Sequence, residues 1–396
     1  MTKLLLVLTS LLLLASVGLN IYLIQEKIEN IVQEAPAISQ SRPSKPTTEE
    51  AQEPEYSSQY KLADEHFSQG EFELAINAYV ELIESTTPQE AELIKTLWLE
   101  RAEQWLEESN IAVLKDFEQQ FLKRFPDDID FLLIEAKRLT LTESVLDGAI
   151  AYYRLQDLPL SDKHAEEVEQ QLNDITLPNL EKLMQSEAWD IVERFAEPLL
   201  QFEPDNERFI LILAEAYAQR QEARLMEQTF SRITYREDLD NEFRRIRSII
   251  RYNRPTNRKK TQTEEPRRSQ GIALVQTGSH YIVKAFLDNR SELDLLIDTG
   301  ASTTAITQQQ FRKLYRKHRP ELIGKFPINT ANGQVNARIF RFDSLSIGNF
   351  QVNNFAVIVL PRRSNLDSDG LLGMNFLRHY DFRIDQRSSQ LFLRNR

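Results

Sequence analysis

Two residue patterns divide this chain near Gly271, and no single fold accommodates both. From Gln59 to about Tyr252 only two glycines occur, Gly70 and Gly148, and apolar residues recur at intervals of three and four. That spacing lines one face of a helix. From Gly271 onward eight glycines fall within 126 residues, and β-branched residues gather in short runs broken by turn-forming segments. Such runs belong to strands. A multidomain chain is expected, with an all-α region over 59–252 and an all-β domain over 271–396. The residues between them, 253–270, read as a basic linker. Arg251 to Gln270 holds seven Arg or Lys and almost nothing apolar after Tyr252.

The N-terminus carries a third signal. Leu4 to Ile24 is a run of 21 residues without a charge, long enough to cross a bilayer as a helix. The run continues past the small residues Ala15 to Gly18, so an uncleaved transmembrane signal anchor over 1–24 is expected rather than a signal peptide. Lys3 precedes the span and the net acidic Gln25 to Glu29 follows it, which places the N-terminus in the cytoplasm and the rest outside. Residues 25–58, rich in Pro, Ser, Thr and Glu, read as a disordered stalk.

Composition removes several chemistries. With no cysteine, the chain has no disulfide, thiol nucleophile or Cys-based zinc site. The five histidines are scattered without a His-Glu-x-x-His pair. Asp367-Ser368-Asp369-Gly370 hints at a calcium loop, but Arg378 stands where that loop needs its twelfth-position Glu. No phosphate-binding glycine loop or serine elbow is present. Neither a metal nor a cofactor is expected. The net charge of −12 is uneven: residues 271–396 hold 17 basic and 10 acidic residues, the remainder 31 and 50. The two portions are expected to attract each other. The basic residues are too dispersed, and too poor in interleaved aromatics, for nucleic acid.

In the helical region, Leu62 to Ile83 places Ala63, Gly70, Phe72, Ala75 and Tyr79 where a tetratricopeptide repeat carries small and aromatic packing residues, and it resembles that repeat. Pro88, Pro126 and Pro204 read as boundaries between units. Ala188 to Asn206 and Arg208 to Phe230 read as later units. The resemblance implies a tetratricopeptide-like solenoid that binds a protein partner on its concave face. An irregular helical bundle is the other reading of the same residues.

The chemistry concentrates at Leu295-Leu296-Ile297-Asp298-Thr299-Gly300. A carboxylate that ends an apolar strand is costly unless it is paired or used. The triplet alone is equally an Asx-turn. Three elements in order decide between them. Asp298-Thr299-Gly300-Ala301-Ser302 resembles the active-site loop of aspartic proteases. Leu371-Leu372-Gly373, followed by Met374-Asn375-Phe376-Leu377, resembles the family's second element, which supports that loop from beneath. Thr330-Ala331-Asn332-Gly333 lies between them, at the position of the substrate-covering flap. Over nearly all of 271–396 the order is similar to that of retropepsin-like, single-domain bacterial aspartic proteases.

The resemblance implies an all-β acid protease domain with Asp298 as catalytic residue. Aspartic proteases use two carboxylates that share one proton, and this chain has one Asp-Thr-Gly. Ser368-Asp369-Gly370 runs directly into the Leu-Leu-Gly element and is no second copy. The dyad is therefore expected to be Asp298 facing Asp298 across a two-fold homodimer. The family pattern gives Thr299 a hydroxyl contact across that axis and Gly300 a close backbone approach. Ala301 matches the retroviral form, which implies a mildly acidic to near-neutral optimum. The expected function is a membrane-anchored aspartic endopeptidase of a bacterial inner membrane, its bulk in the periplasm, with helical repeats that recruit a protein substrate or adaptor. The alternative is a non-catalytic adaptor that uses the β domain for dimerisation or peptide binding. A third arrangement has the acidic helices docked on the basic domain and released by cleavage within 251–270.

Overall fold

A computed structural model describes residues 56–85, 88–234, 237–252, 271–330, 333–360 and 368–395. The expected anchor (1–24), nearly all of the stalk (25–58), the linker (253–270) and the flap residues Ala331 and Asn332 lie outside the described residues. Among the described residues no helix is long and apolar enough to cross a membrane.

The helical pattern resolves into α1 (Ser58–Gln69), α2 (Phe72–Ile83), α3 (Pro88–Glu107), α4 (Ile111–Arg124), α5 (Ile129–Thr142) and α6 (Val145–Leu155). It continues through α7 (Asp162–Ile175), α8 (Leu177–Gln185), α9 (Trp189–Leu199), α10 (Glu207–Gln219), α11 (Ala223–Phe230) and α12 (Asp240–Tyr252). Side-chain oxygens of Ser57, Asp128, Ser144, Ser161 and Asn206 accept the free N–H groups that open α1, α5, α6, α7 and α10. Pro88 begins α3, and Pro126 and Pro204 stand in the turns after α4 and α9. Four short turns, α1–α2, α3–α4, α8–α9 and α10–α11, each pass through a left-handed residue: Gly70, Ser109, Glu187 and Gln221.

The β domain comprises β1 (Ile272–Thr277), β2 (His280–Leu287), β3 (Ser291–Ile297), β4 (Ala305–Thr307), α13 (Gln308–His318), β5 (Glu321–Thr330), β6 (Gly333–Ile347) and β7 (Phe350–Leu360). It ends with β8 (Gly370–Leu372), α14 (Met374–Leu377), β9 (Tyr380–Asp385) and β10 (Gln390–Asn395). The sheet order is β5-β6-β7-β4-β8-β3-β2-β1-β10-β9, with β6 also pairing β2. Most pairs are antiparallel, whereas β3–β8 and β4–β7 run parallel. The expected hairpin is present, with Thr330 opposite Gly333. One expectation changes. Gln334 to Phe342 and Ser344 to Ile347 read as separate strands, but they form the single strand β6. Its Ser346 and Leu345 pair β2 while its first half pairs β5. The Asp288 carboxylate accepts the Ser344 N–H and ties β6 to the turn after β2.

Apolar packing falls into three clusters. The first, in α1 to α5, is aromatic: Phe67, Trp98, Phe117, Phe121 and Phe131. The second is the interior of the β domain, around Leu295, Phe342, Leu372 and Phe376. The third joins the two regions. It runs from α5 to α12 and takes in Ile323, Phe326 and Ile328 of β5, Ala337 and Ile339 of β6, and Ile358 of β7. Phe326 is fully buried, with its ring centroid 5.3 Å from that of Phe195 on α9. Lys325 Nζ donates to the Thr142 carbonyl at the end of α5, and Asn336 donates to Asp147 of α6 at 3.3 Å. The expected attraction between acidic helices and basic domain is a rim around this apolar centre. Glu187 lies 3.3 Å from Arg378 and 3.1 Å from His379, while Lys182 reaches Glu321 with the signs reversed. Charge alone does not hold the halves together, and parting them exposes the apolar faces of β5 and β6.

Phe326→Ala is expected to cost about 3–5 kcal/mol and to shift the helical and β unfolding transitions together, as read by circular dichroism in denaturant. The rim has a pH signature. Burial opposes the charge on Glu187, but hydrogen bonds and charge from His379 and Arg378 outweigh it and hold the carboxyl below its usual value of 4.5. A carboxyl lowered by folding stabilises the native state above its unfolded pKa, and that contribution is lost as the pH falls through the folded value. Acid titration below about pH 4.5 should therefore destabilise the wild type more than Glu187→Gln, measured as the unfolding midpoint against pH.

Candidate active site

Asp298 follows immediately on β3, a strand held between β2 and β8. Leu296 and Ile297 pair with Leu371 and Leu372, and the ladder extends one residue further: the Asp298 N–H donates to the Leu372 carbonyl at 3.0 Å. The aspartate is thereby fixed by the sheet although its side chain is half-buried at a rim. The Gly300 N–H donates to Asp298 Oδ1 at 2.9 Å. A Cβ on Gly300 would lie 3.2 Å from that same oxygen, so a side chain there crowds the carboxylate. Among the described residues no second carboxylate bonds to Asp298.

The loop is anchored from behind. The Ala301 carbonyl accepts the Met374 N–H at 2.7 Å, and the Ser302 carbonyl accepts the Asn375 N–H at 2.9 Å. Asn375 is 2% exposed and Thr304 1%. Asn375 Oδ1 accepts both the N–H and the hydroxyl of Thr304, at 2.8 and 2.7 Å, and its amide donates to the Ala356 carbonyl at 2.9 Å. The Gly373 N–H closes the network on Thr304 Oγ1 at 3.1 Å. Gly373 is required by space: a Cβ there would meet Thr303 C at 2.6 Å and Thr304 N at 2.7 Å.

The structure thus brings Asp298, Gly300, Ala301 and Ser302 together with Leu371, Leu372 and Gly373. Thr299 and Gly300 are exposed at the loop tip. Thr330 and Gly333 close the β5–β6 hairpin, where Thr330 Oγ1 donates to the Gly333 carbonyl at 2.8 Å. Among the described residues, the bonds that anchor the loop come from β8 and α14. Asp369, beside the Leu-Leu-Gly element, ties β8 to β3 by accepting the Asp294 N–H at 3.0 Å.

Sequence reasoning missed two supports, Thr304 and Asp190, and gave Asn375 only as part of the second element. The partnership of Thr304 with Asn375 has no local signature, since it spans 71 positions. Asp190, at the start of α9, lies 113 positions from Thr303, yet its buried carboxylate accepts the Thr303 hydroxyl at 2.9 Å. The helical region therefore touches the segment that carries the loop. Asn375→Ala would leave the Thr304 N–H and the Ala356 carbonyl buried without partners. We expect it to cost about 3 kcal/mol or more and to raise amide exchange across Ala301 to Thr304.

Residues 283–379 match the family model described as gag-polyprotein putative aspartyl protease. A retropepsin-like aspartic protease from Rickettsia conorii is 30% identical, over 31% of this chain and 87% of that one, with a TM-score of 0.24. EIAV protease complexed with the inhibitor HBY-793 is 19% identical over 26% and 92%, with a TM-score of 0.21. The retroviral protease-like domain of Ddi1 from Leishmania major is 15% identical over 30% and 92%, also at 0.21. No curated protein matches the chain significantly. The matched stretch spans the active-site loop and its support, which are bonded as described, and this supports an aspartyl protease domain of the retropepsin-like kind at residues 283–379.

Proposed function

We propose that the chain is an aspartic endopeptidase in which Asp298 and the Asp298 of a second copy form the catalytic dyad. The observation that carries this reading is a half-buried carboxylate fixed at a strand end, in a loop whose exposed tip, Thr299 and Gly300, is left uncovered by the helices. Two such loops brought together on a two-fold axis place two carboxylates side by side. Both cannot ionise at that separation, so one stays protonated. The ionised partner takes a proton from a water, which attacks the scissile carbonyl carbon. The protonated partner donates to the carbonyl oxygen, and a proton then passes to the leaving amine. The Gly300 N–H orients the carboxylate it contacts. The hairpin residues Thr330 to Gly333 act as the flap over the peptide.

The helical units serve as a tetratricopeptide-like array that recruits a substrate or adaptor. The apolar run at 4–24 anchors the chain in a bacterial inner membrane with its bulk in the periplasm. Confinement in two dimensions raises the effective concentration for pairing.

The test is peptide-library cleavage by the full chain in a bilayer, beside Asp298→Asn, from acid to neutral pH. We expect cuts between mildly acidic and neutral pH that vanish in the variant. Mixing the two proteins should lower activity more steeply than dilution does, because mixed dimers hold one functional carboxylate. Cuts that survive in Asp298→Asn would sink the reading. Absence of cleavage by a chain shown to be dimeric would favour the adaptor.

A further inference from the structure

Beside the active-site loop lies a cleft of about 800 Å³ built from both halves of the chain. The β domain contributes Ser302 and Met374, and the helical region contributes Trp189, Gln219 and Gln221. Its volume falls in the range of functional ligand pockets.

Three observations say what fits there. The first is continuity with the loop. Ser302 stands four residues after Asp298, so their Cα atoms are no more than about 14 Å apart. The backbone of Met374 holds Ala301 directly, at 2.7 Å. The second is charge. The ionic groups around the cleft are already matched: Arg220 with Glu193 and Glu222, Arg378 with Glu187, and Asp190 with Arg194 and Thr303. An ion or a phosphate finds no spare opposite charge. The third is unused hydrogen-bonding capacity. Ser302 is exposed and Gln219 half-buried at the cleft wall, and the buried indole N–H of Trp189 has no acceptor among the described residues. A buried indole N–H ordinarily finds one. Neutral donors and acceptors beside Met374 and an indole suit the amides of an extended peptide with uncharged side chains.

We propose that this cleft is a substrate subsite which takes an uncharged stretch of the peptide flanking the scissile bond, so that the helical region helps to set cleavage specificity. The inference rests on the proteolytic reading above and adds to it. Contacts remote from the reacting bond assist catalysis when their binding energy is used to position the substrate. Longer substrates should then be cleaved better, and a two-fold dimer would present one such cleft to each flank.

The test uses the intact chain and peptides that share one cleaved core. One series is short, a second is extended on either flank by Ala, Ser, Gln and Leu residues, and a third is extended by glutamates. The readout is the ratio of kcat/KM for long over short peptides. The wild type is expected to favour the uncharged extension at least tenfold and to gain less from glutamates. Gln219→Trp, which fills the cleft, should bring that ratio close to one while the thermal melt is retained. Gln219→Ala should lower it by a smaller factor. Equal kcat/KM for short and long peptides in the wild type would overturn the subsite, as would a ratio unchanged in a folded Gln219→Trp chain. If no Asp298-dependent cleavage of any peptide occurs, the proteolytic reading falls and the subsite falls with it, a result distinct from short and long peptides being cut alike.

Discussion

The packing of Phe326 on Phe195 ties the whole molecule together. A hairpin such as β5–β6 has two faces, and one of them covers the interior of its own domain. The other carries Ile323, Phe326, Ile328, Ala337 and Ile339, which are buried only because α6, α8 and α9 lie across them. Water exclusion there is worth roughly 1.5–3 kcal/mol for each large side chain buried. The helical region and the β domain therefore share stability although their sequence patterns differ completely. Opposite net charges accompany this contact but do not explain it, because the rim pairs are partly exposed and such pairs contribute little.

The same contact has a functional face. The β5–β6 hairpin is not a free arm: its base belongs to the helical core. Asp190 and Glu187, at the turn into α9, meet Thr303 and Arg378, which flank the active-site loop and its support. The turn that carries Glu187 uses a left-handed backbone at a residue with a side chain, φ 51°. Glycine would adopt that conformation more cheaply, but glycine would leave Arg378 and His379 without their carboxylate.

Within the β domain, order comes from a small buried polar network rather than from apolar packing alone. Asn375 uses both ends of its amide, on Thr304 and on Ala356. A network of this kind specifies one arrangement, since any other leaves buried groups unpaired. It allows an exposed loop tip to be held rigidly by residues that never see solvent, which is what positioning a half-buried carboxylate requires.

The sequence by itself determined the helix periodicity of the first part, the strand pattern after Gly271 and the hairpin that ends at Gly333. Each rests on local spacing: period 3.6 against period 2, and a turn-forming Asn-Gly pair; the pairing of the Asp298 loop with Leu371 to Gly373 was implied only by the resemblance to aspartic proteases. Only the tertiary structure decided that β6 is one strand with two partners, that Asn375 and Thr304 lock the loop, and that Asp190 reaches it from the helices. The last two join residues 71 and 113 positions apart. No periodicity encodes such pairs, because a lone Asp, Thr or Asn reads locally as a cap or a turn. Their partners are met only when the strands of the β domain close on one another and, for Asp190, when that domain rests on the helices.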